Sequence, residues 1–205
     1  MDRLPNASLG ELFRCGSRLL KVLDLGGIPL ETIPDEVFKL IHLKYLSLRG
    51  TKVKMVPKLI GKLENLETLD LENTYVIELP DEILRLKKLR HLLLFSYKSR
   101  SFYIEFRDFH GFKAPSQIGS LQSLQALSKI DVDQRSGCGI SIVKELGRLT
   151  QLRTLTIKNL RREDGATLLS SIENLSNLRK LFVATTKDDE LLDLQSLSPI
   201  PPFLQ

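Results

Sequence analysis

The sequence has little of what disulfide-rich, zinc-binding or membrane-spanning proteins require. Its 205 residues include two cysteines, three histidines and no tryptophan. These few, scattered ligands exclude a disulfide framework and predict no metal site. No apolar run approaches the roughly 18 residues that span a bilayer, and the first thirty residues lack the apolar stretch of a signal peptide. Aromatic residues make up only 6% of the chain, so an aliphatic core is expected.

Charge of one sign is not concentrated anywhere in the chain. The net charge is +5, with an excess of +2 in residues 1–95 and +3 in residues 96–205. Because neither half has a basic tail, the charge indicates solubility rather than nucleic-acid binding.

The sequence does contain an apolar motif, L-x-x-L-x-L, whose first four copies recur every 23 residues, whereas two later copies that end in Ile157 and Val183 are 26 residues apart. Four regular copies and two later ones begin at Leu20, Leu43, Leu66, Leu89, Leu152 and Leu178. A less regular copy lies between the two groups and can begin at Leu124 or at Leu127. We favour Leu127, because this register restores the alternating pair Ile130 and Val132.

A second motif runs in phase with the first and begins with proline. It reads apolar-P-x-x-I/V-x-x-L-x-x-L, and its prolines are Pro34, Pro57, Pro80 and Pro115. The L-x-L part predicts a short strand, and the steps of three after proline predict a 3₁₀ turn or a loose helix. Since one such unit cannot bury its own apolar edge, stacked units must share a core.

The predicted fold is therefore an α/β leucine-rich-repeat solenoid of about seven repeats. A curved parallel sheet forms its concave face, and 3₁₀ or short α segments form its convex face. We expect one domain over residues 1–205. Its parts are an N-terminal flank (1–19), regular repeats (20–94), an enlarged repeat with an aromatic insert and its convex segment (95–126), irregular longer repeats (127–184) and a C-terminal flank (185–205).

Several stretches of the repeats resemble one particular family. They are Leu43-Lys-Tyr-Leu-Ser-Leu-Arg-Gly-Thr51, Leu66-Glu-Thr-Leu-Asp-Leu71, Leu89-Arg-His-Leu-Leu-Leu94 and Lys144-Glu-Leu-Gly-Arg-Leu-Thr-Gln-Leu-Arg153. They are similar to the repeat domain of plant nucleotide-binding leucine-rich-repeat (NLR) disease-resistance proteins of the coiled-coil class. The resemblance implies a cytoplasmic immune receptor. Its repeats would recognise a pathogen effector or a guarded host protein and would contact the receptor's own nucleotide-binding module.

One part of such a receptor is missing from the sequence. The nucleotide-binding module needs G-x-x-x-x-G-K-[ST], and Gly61-Lys62 has neither the earlier glycine nor a following serine or threonine. We therefore expect a truncated or partial receptor that is not an enzyme and holds no cofactor. The alternative is a stand-alone cytosolic repeat scaffold, which would share the 23-residue unit.

The residues between the strand leucines are the candidate binding residues, because they face away from the core. The selected positions combine charged and aromatic side chains, as protein interfaces do. They are Tyr45, Arg49, Asp70, Glu72, His91, Phe95, Lys158 and Phe182. The alternative is an ordinary solvated sheet face. Asp24 and Asp70 share a column, but an open sheet offers no pocket for a catalytic carboxylate pair.

Charges are also grouped in blocks about one repeat long. Stacking predicts that Lys44 lies beside Glu67, that Glu67 lies beside Arg90, and that Arg49 lies beside Glu72. We interpret these pairs as contacts that favour the repeat register rather than as a partner site.

The enlarged repeat holds seven of the thirteen aromatic residues. They are Phe95, Tyr97, Phe102, Tyr103, Phe106, Phe109 and Phe112. We favour an insert that packs on the solenoid or against another domain. A partner-binding loop is the second interpretation, and stacking on single-stranded nucleic acid the third.

Overall fold

The computed structural model describes residues 19–94, 96–97, 109–132 and 142–185. Seven of its nine strands form one parallel sheet in the order β1-β2-β3-β4-β7-β8-β9. The strands are β1 (Val22–Asp24), β2 (Tyr45–Ser47), β3 (Thr68–Asp70), β4 (His91–Leu93), β5 (Ser96–Tyr97), β6 (Phe109–His110), β7 (Ala126–Asp131), β8 (Thr154–Leu160) and β9 (Lys180–Thr185). The solenoid of about seven repeats is therefore confirmed.

One leucine per strand aligns across the whole sheet. The column, in spatial order, is Leu23, Leu46, Leu69, Leu92, Leu127, Leu155 and Leu181. All of these leucines except Leu181 are buried. Because the first four repeats have equal length, their strands pair without any offset, and each leucine packs on the next.

The convex side is built from short helical turns. Proline occupies the N-cap of the 3₁₀ turns Asp35–Lys39, Lys58–Lys62 and Asp81–Arg85. Its carbonyl accepts the first hydrogen bond of each turn, for example from Val37 N to Pro34 O at 3.0 Å. A shorter turn follows at Ile118–Ser120. In the later repeats helices α1 (Ile142–Leu146) and α2 (Gly165–Glu173) take this place.

The register that we favoured for the middle repeat is wrong. Leu127 pairs with Leu92 on one side and with Leu155 on the other, so this copy of the motif begins at Leu124. The cause is a β-bulge between Leu127 and Ile130, where Lys129 has a φ of +52°. One extra residue there brings Ile130 opposite Ile157. Of the alternating pair, Ile130 therefore belongs to the second half of β7, and Val132 directly follows that strand.

The enlarged repeat returns to the core through Phe112. Its strands β5 and β6 pair in antiparallel fashion, and Phe112, only 2% exposed, lies in the hydrophobic core. Phe112 N donates to Lys129 O at 3.1 Å, and Asp131 N donates to Phe112 O at 2.9 Å. Packing of the insert on the solenoid is thus confirmed for Phe112. Of the other insert aromatics, Tyr97 and Phe109 are described only in their backbone, and Phe95, Phe102, Tyr103 and Phe106 lie outside the described residues.

Candidate protein-binding surface

The concave face consists of columns of equivalent residues, because parallel strands in register direct equivalent side chains to the same side. The column at the first position of each strand holds Val22, Tyr45, Thr68, His91, Ala126, Thr154 and Lys180. Among the predicted residues, Tyr45 and His91 lie in this column, and Asp70 and Phe182 lie two residues further along their strands. Ala126 was not predicted as a residue of the concave face, because the favoured register begins the motif after it, at Leu127.

An ion pair holds the chain where β2 and β3 end. Arg49 Nη2 lies 2.9 Å from a Glu72 carboxylate oxygen, as the spacing of 23 residues predicted. The Glu72 backbone N–H donates to Asp70 Oδ1 at 2.9 Å, and Gly50 N donates to Glu72 O at 2.8 Å. Burial raises the pKa of Glu72 above its ordinary value, although the charge of Arg49 opposes that effect.

The two aspartates of this face stabilise turns. Asp24 Oδ1 accepts a hydrogen bond from Gly26 N at 2.8 Å, in the same way that Asp70 accepts from Glu72 N. Each aspartate therefore satisfies a backbone donor where its strand ends. The sequence signal for this role is an acidic residue two positions before the turn, a pattern that equally fits a binding or catalytic group.

Basic side chains occupy the same face on the later strands. Lys158 lies opposite Asp131 in the pairing of β7 and β8 and is only 6% exposed. Burial and then the charge of Lys158 lower the pKa of Lys129 to about 8, while Glu72 acts in the opposite direction. Lys129 was not among the predicted residues, since the bulge that orients it has no sequence signature that we recognised.

His91 lies at the centre of the face and is half-buried. Its Nδ1 lies 3.1 Å from the Thr68 hydroxyl on the neighbouring strand. Burial, followed by the charge of Arg90, lowers the pKa of His91 below its ordinary value of 6.5. The imidazole is therefore held mainly in its neutral form at neutral pH.

The predicted charge ladder lies at the edge of this face, just before the strands begin. Lys44 Nζ lies 2.7 Å from Glu67 Oε1, and Arg90 Nη1 lies 3.8 Å from Glu67 Oε2. The hydrogen bond and the charge of Lys44 lower the pKa of Glu67. All three predicted neighbours, including the Arg49–Glu72 pair, are confirmed.

The surface changes in character along the sheet. Acidic groups on and after β3 (Asp70, Glu72) give way to lysines on β7 and β8, and Phe182 on β9 is 51% exposed. Phe95 lies outside the described residues. Within the described ranges, no cluster of His, Cys, Asp and Glu could hold a metal ion, and no helix is long and apolar enough to cross a membrane. Asp70 is only 5% exposed and Lys158 6%, so the exposed side chains that this open sheet offers include Arg49 and Phe182.

A comparison with known protein families agrees with this architecture. The family model described as "Leucine-rich repeat region" matches residues 12–205. Among solved structures, a leucine-rich repeat protein of Leptospira interrogans is similar, with a TM-score of 0.49 and 25% sequence identity. The alignment covers 80% of this chain and 48% of that chain, so this chain spans less than half of that protein. No curated protein sequence matches significantly.

Proposed function

The chain belongs to the leucine-rich repeat family, and we propose that it is the protein-recognition and regulatory repeat domain of a plant intracellular immune receptor. The observation that carries recognition is the continuous concave face, where one repeat after another presents a different side chain in register. Repeat solenoids of this kind typically bind proteins over such extended surfaces. We propose a cytoplasmic location and a role without catalytic turnover.

The plant-receptor part of this proposal is supported by the resemblance of the repeats. Leu89-Arg-His-Leu-Leu-Leu94 and Lys144-Glu-Leu-Gly-Arg-Leu-Thr-Gln-Leu-Arg153 are two of the stretches that resemble the coiled-coil class. A stand-alone scaffold remains the alternative. Sequencing the full transcript distinguishes the two: a receptor requires a frame that also encodes G-x-x-x-x-G-K-[ST], and a scaffold requires a frame without it.

A binding measurement tests the recognition role directly. We propose the nucleotide-binding module of a coiled-coil-class receptor as the first probe, purified separately and titrated into this chain by calorimetry. If the concave face is the binding surface, Glu72→Arg should weaken binding about tenfold, as the loss of a favourable interface charge does.

The matched control is Glu36→Arg, which changes the same charge on the convex side, where Glu36 faces Lys39 at 3.9 Å. This variant should bind like the wild type. The double variant Arg49→Glu, Glu72→Arg restores the ion pair within the chain. If it also restores binding, the effect of Glu72→Arg was on folding, and the concave face is not the binding surface.

A further inference from the structure

Three large apolar side chains are exposed on the flank of the solenoid, outside the concave face. Met55, Tyr75 and Ile77 are 69%, 59% and 61% exposed. They lie in the segments that follow β2 and β3 and lead to the convex 3₁₀ turns. A single exposed apolar residue is ordinary, whereas a group of them on a soluble protein often marks an interaction site.

Backbone hydrogen bonds show that these residues are neighbours. Tyr75 N donates to Val53 O at 2.9 Å, and Lys113 N donates to Ile77 O at 2.8 Å, so the segments lie side by side. Tyr75 and Ile77 lie on either side of the buried Val76, so their side chains point outward on the same face. Their Cα atoms are ~6.6 Å apart at the rise of an extended chain. Met55 lies two residues after Val53 in the adjacent segment. We call Met55, Tyr75 and Ile77 the flank patch.

Lysines surround the flank patch, and their charge is not balanced within the described part of the chain. Lys52, Lys54 and Lys113 are exposed, and none of them forms an ion pair with a described residue. Within residues 52–56 and 75–78 the one acidic side chain is Glu78, so Lys52, Lys54, Lys113 and Glu78 together carry a net charge of +2. On the concave side, by contrast, the charges of the basic residues are balanced, because those residues pair with Glu67 and Glu72.

From this combination we propose that the flank patch is a second interaction surface, which binds an acidic amphipathic segment of a partner protein. Apolar anchors of that segment contact Met55, Tyr75 and Ile77, and its carboxylates contact the surrounding lysines. A protein fits better than an anionic membrane, because tyrosine and methionine are enriched at protein interfaces.

The chain contains only two methionines, Met1 and Met55, which makes a direct test possible. The ¹³C-methyl spectrum of methionine-labelled protein should contain two signals, and the one absent from Met55→Leu reports on the flank patch. The probe is an 18-residue amphipathic helix with leucine on one face and glutamate elsewhere. The control peptide replaces every glutamate with lysine. We expect the acidic peptide to shift the Met55 signal and the basic peptide to leave it unchanged.

Two variants and two matched controls then locate the contact. Ile77→Ser and Lys54→Glu should each weaken binding of the acidic peptide about tenfold, equivalent to the loss of one good contact. Ile41→Ser and Lys62→Glu make the same changes at exposed convex positions and should have no effect.

Several results would overturn the proposal. Equal binding of the two peptides, binding of neither, or equal losses in the control variants would each contradict it. So would a Met55 signal that responds to vesicles of anionic lipid but not to the acidic peptide, which would identify a membrane contact. A shift that depends only on protein concentration would identify self-association of the flank patch.

Discussion

Glu67 is the residue on which the charge ladder depends, because it neutralises a cation on each side. Replacing it with lysine would place a third positive charge between Lys44 and Arg90, and like charges on adjacent strands are unfavourable. We expect Glu67→Lys to lower the midpoint of urea unfolding, and the effect should shrink as salt screens exposed charges. Glu64→Lys, a charge reversal in the same repeat at an exposed position without an ion pair to described residues, is the control. Equal midpoints at low salt for wild type and Glu67→Lys would contradict the ladder.

His91 should make the stability of the solenoid sensitive to pH. Its pKa in the folded chain lies below the ordinary value of 6.5, so the unfolded chain binds the proton more readily. Stability should therefore fall as the pH drops through 6.5 and should stop falling below the folded pKa. We expect the wild type to lose more free energy of unfolding between pH 7.5 and 5.5 than His91→Gln does. His42→Gln, at an exposed convex position, should behave like the wild type, and equal behaviour of all three would contradict the burial of His91.

Individual residues also show what the sequence could predict about the surface. Arg49, Glu67 and Glu72 were paired correctly, because a constant spacing of 23 residues determines which side chains meet. The turn-stabilising role of Asp70 was not recognised, since a carboxylate between two strand leucines looks the same whether it binds a partner or a backbone N–H. Lys129 was missed for a different reason, the local backbone conformation of one bulge.

At the scale of one element, the insert matters to the fold through Phe112. This ring is fully enclosed beside Ile130, and its backbone bonds to β7 hold the bulged strand in place. Phe112→Ala should cost about 3–5 kcal/mol of stability, as phenylalanine truncation in a core does. Phe182→Ala, at a half-exposed position, should cost much less, and both values can be measured by chemical unfolding. A small loss for Phe112→Ala would mean that the insert only rests on the surface.

The convex turns pack so closely that one glycine has no room for a side chain. A Cβ on Gly119 would lie 2.6 Å from the backbone oxygen of Glu145 and 2.8 Å from its carboxylate. The same carboxylate accepts a hydrogen bond from Gly119 N at 3.2 Å and pairs with Arg148 at 3.0 Å. Gly119→Ala should therefore destabilise the chain by about 1–3 kcal/mol.

The control for this prediction is Gly26→Ala. A Cβ there would lie 3.0 Å from Asp24 Oδ1, a side-chain atom that can shift at the cost of its hydrogen bond to Gly26 N, and 3.5 Å from the Arg49 carbonyl oxygen, so we expect a smaller loss. Thermal unfolding of the two variants compares them directly. Equal unfolding temperatures would show that α1 can shift away from the turn at Gly119.

The elements differ in how well the sequence predicted them, and the reason is the regularity of the repeat. The first four strands and the proline turns were predicted in register, because each copy confirms the phase of the next. The predicted register was wrong at β7, because this repeat differs in length and contains a β-bulge. The apolar alternation of Ile130 and Val132 fits either register. The subdivision of the chain into flanks and irregular repeats stays a prediction.

The whole molecule is a stack with two ends, and the two ends of its sheet differ. At one end, β1 has three residues and includes Asp24; at the other, β9 has six residues and one charge, Lys180. Within the described ranges, no strand pairs with the outer side of β9, and Phe182 is half exposed there. A long apolar edge of this kind is a template for pairing with another chain, and charged residues on an edge suppress such pairing.

We therefore expect the 205-residue chain to associate through β9 at micromolar concentrations. Phe182→Lys adds a charge to the β9 edge and should shift the chain toward its monomeric mass in size-exclusion chromatography with light scattering. Val22→Lys makes the same kind of change on the short strand β1 and should leave the association unchanged. A wild-type chain that stays monomeric at tens of micromolar would contradict this prediction, as would equal dissociation of the two variants.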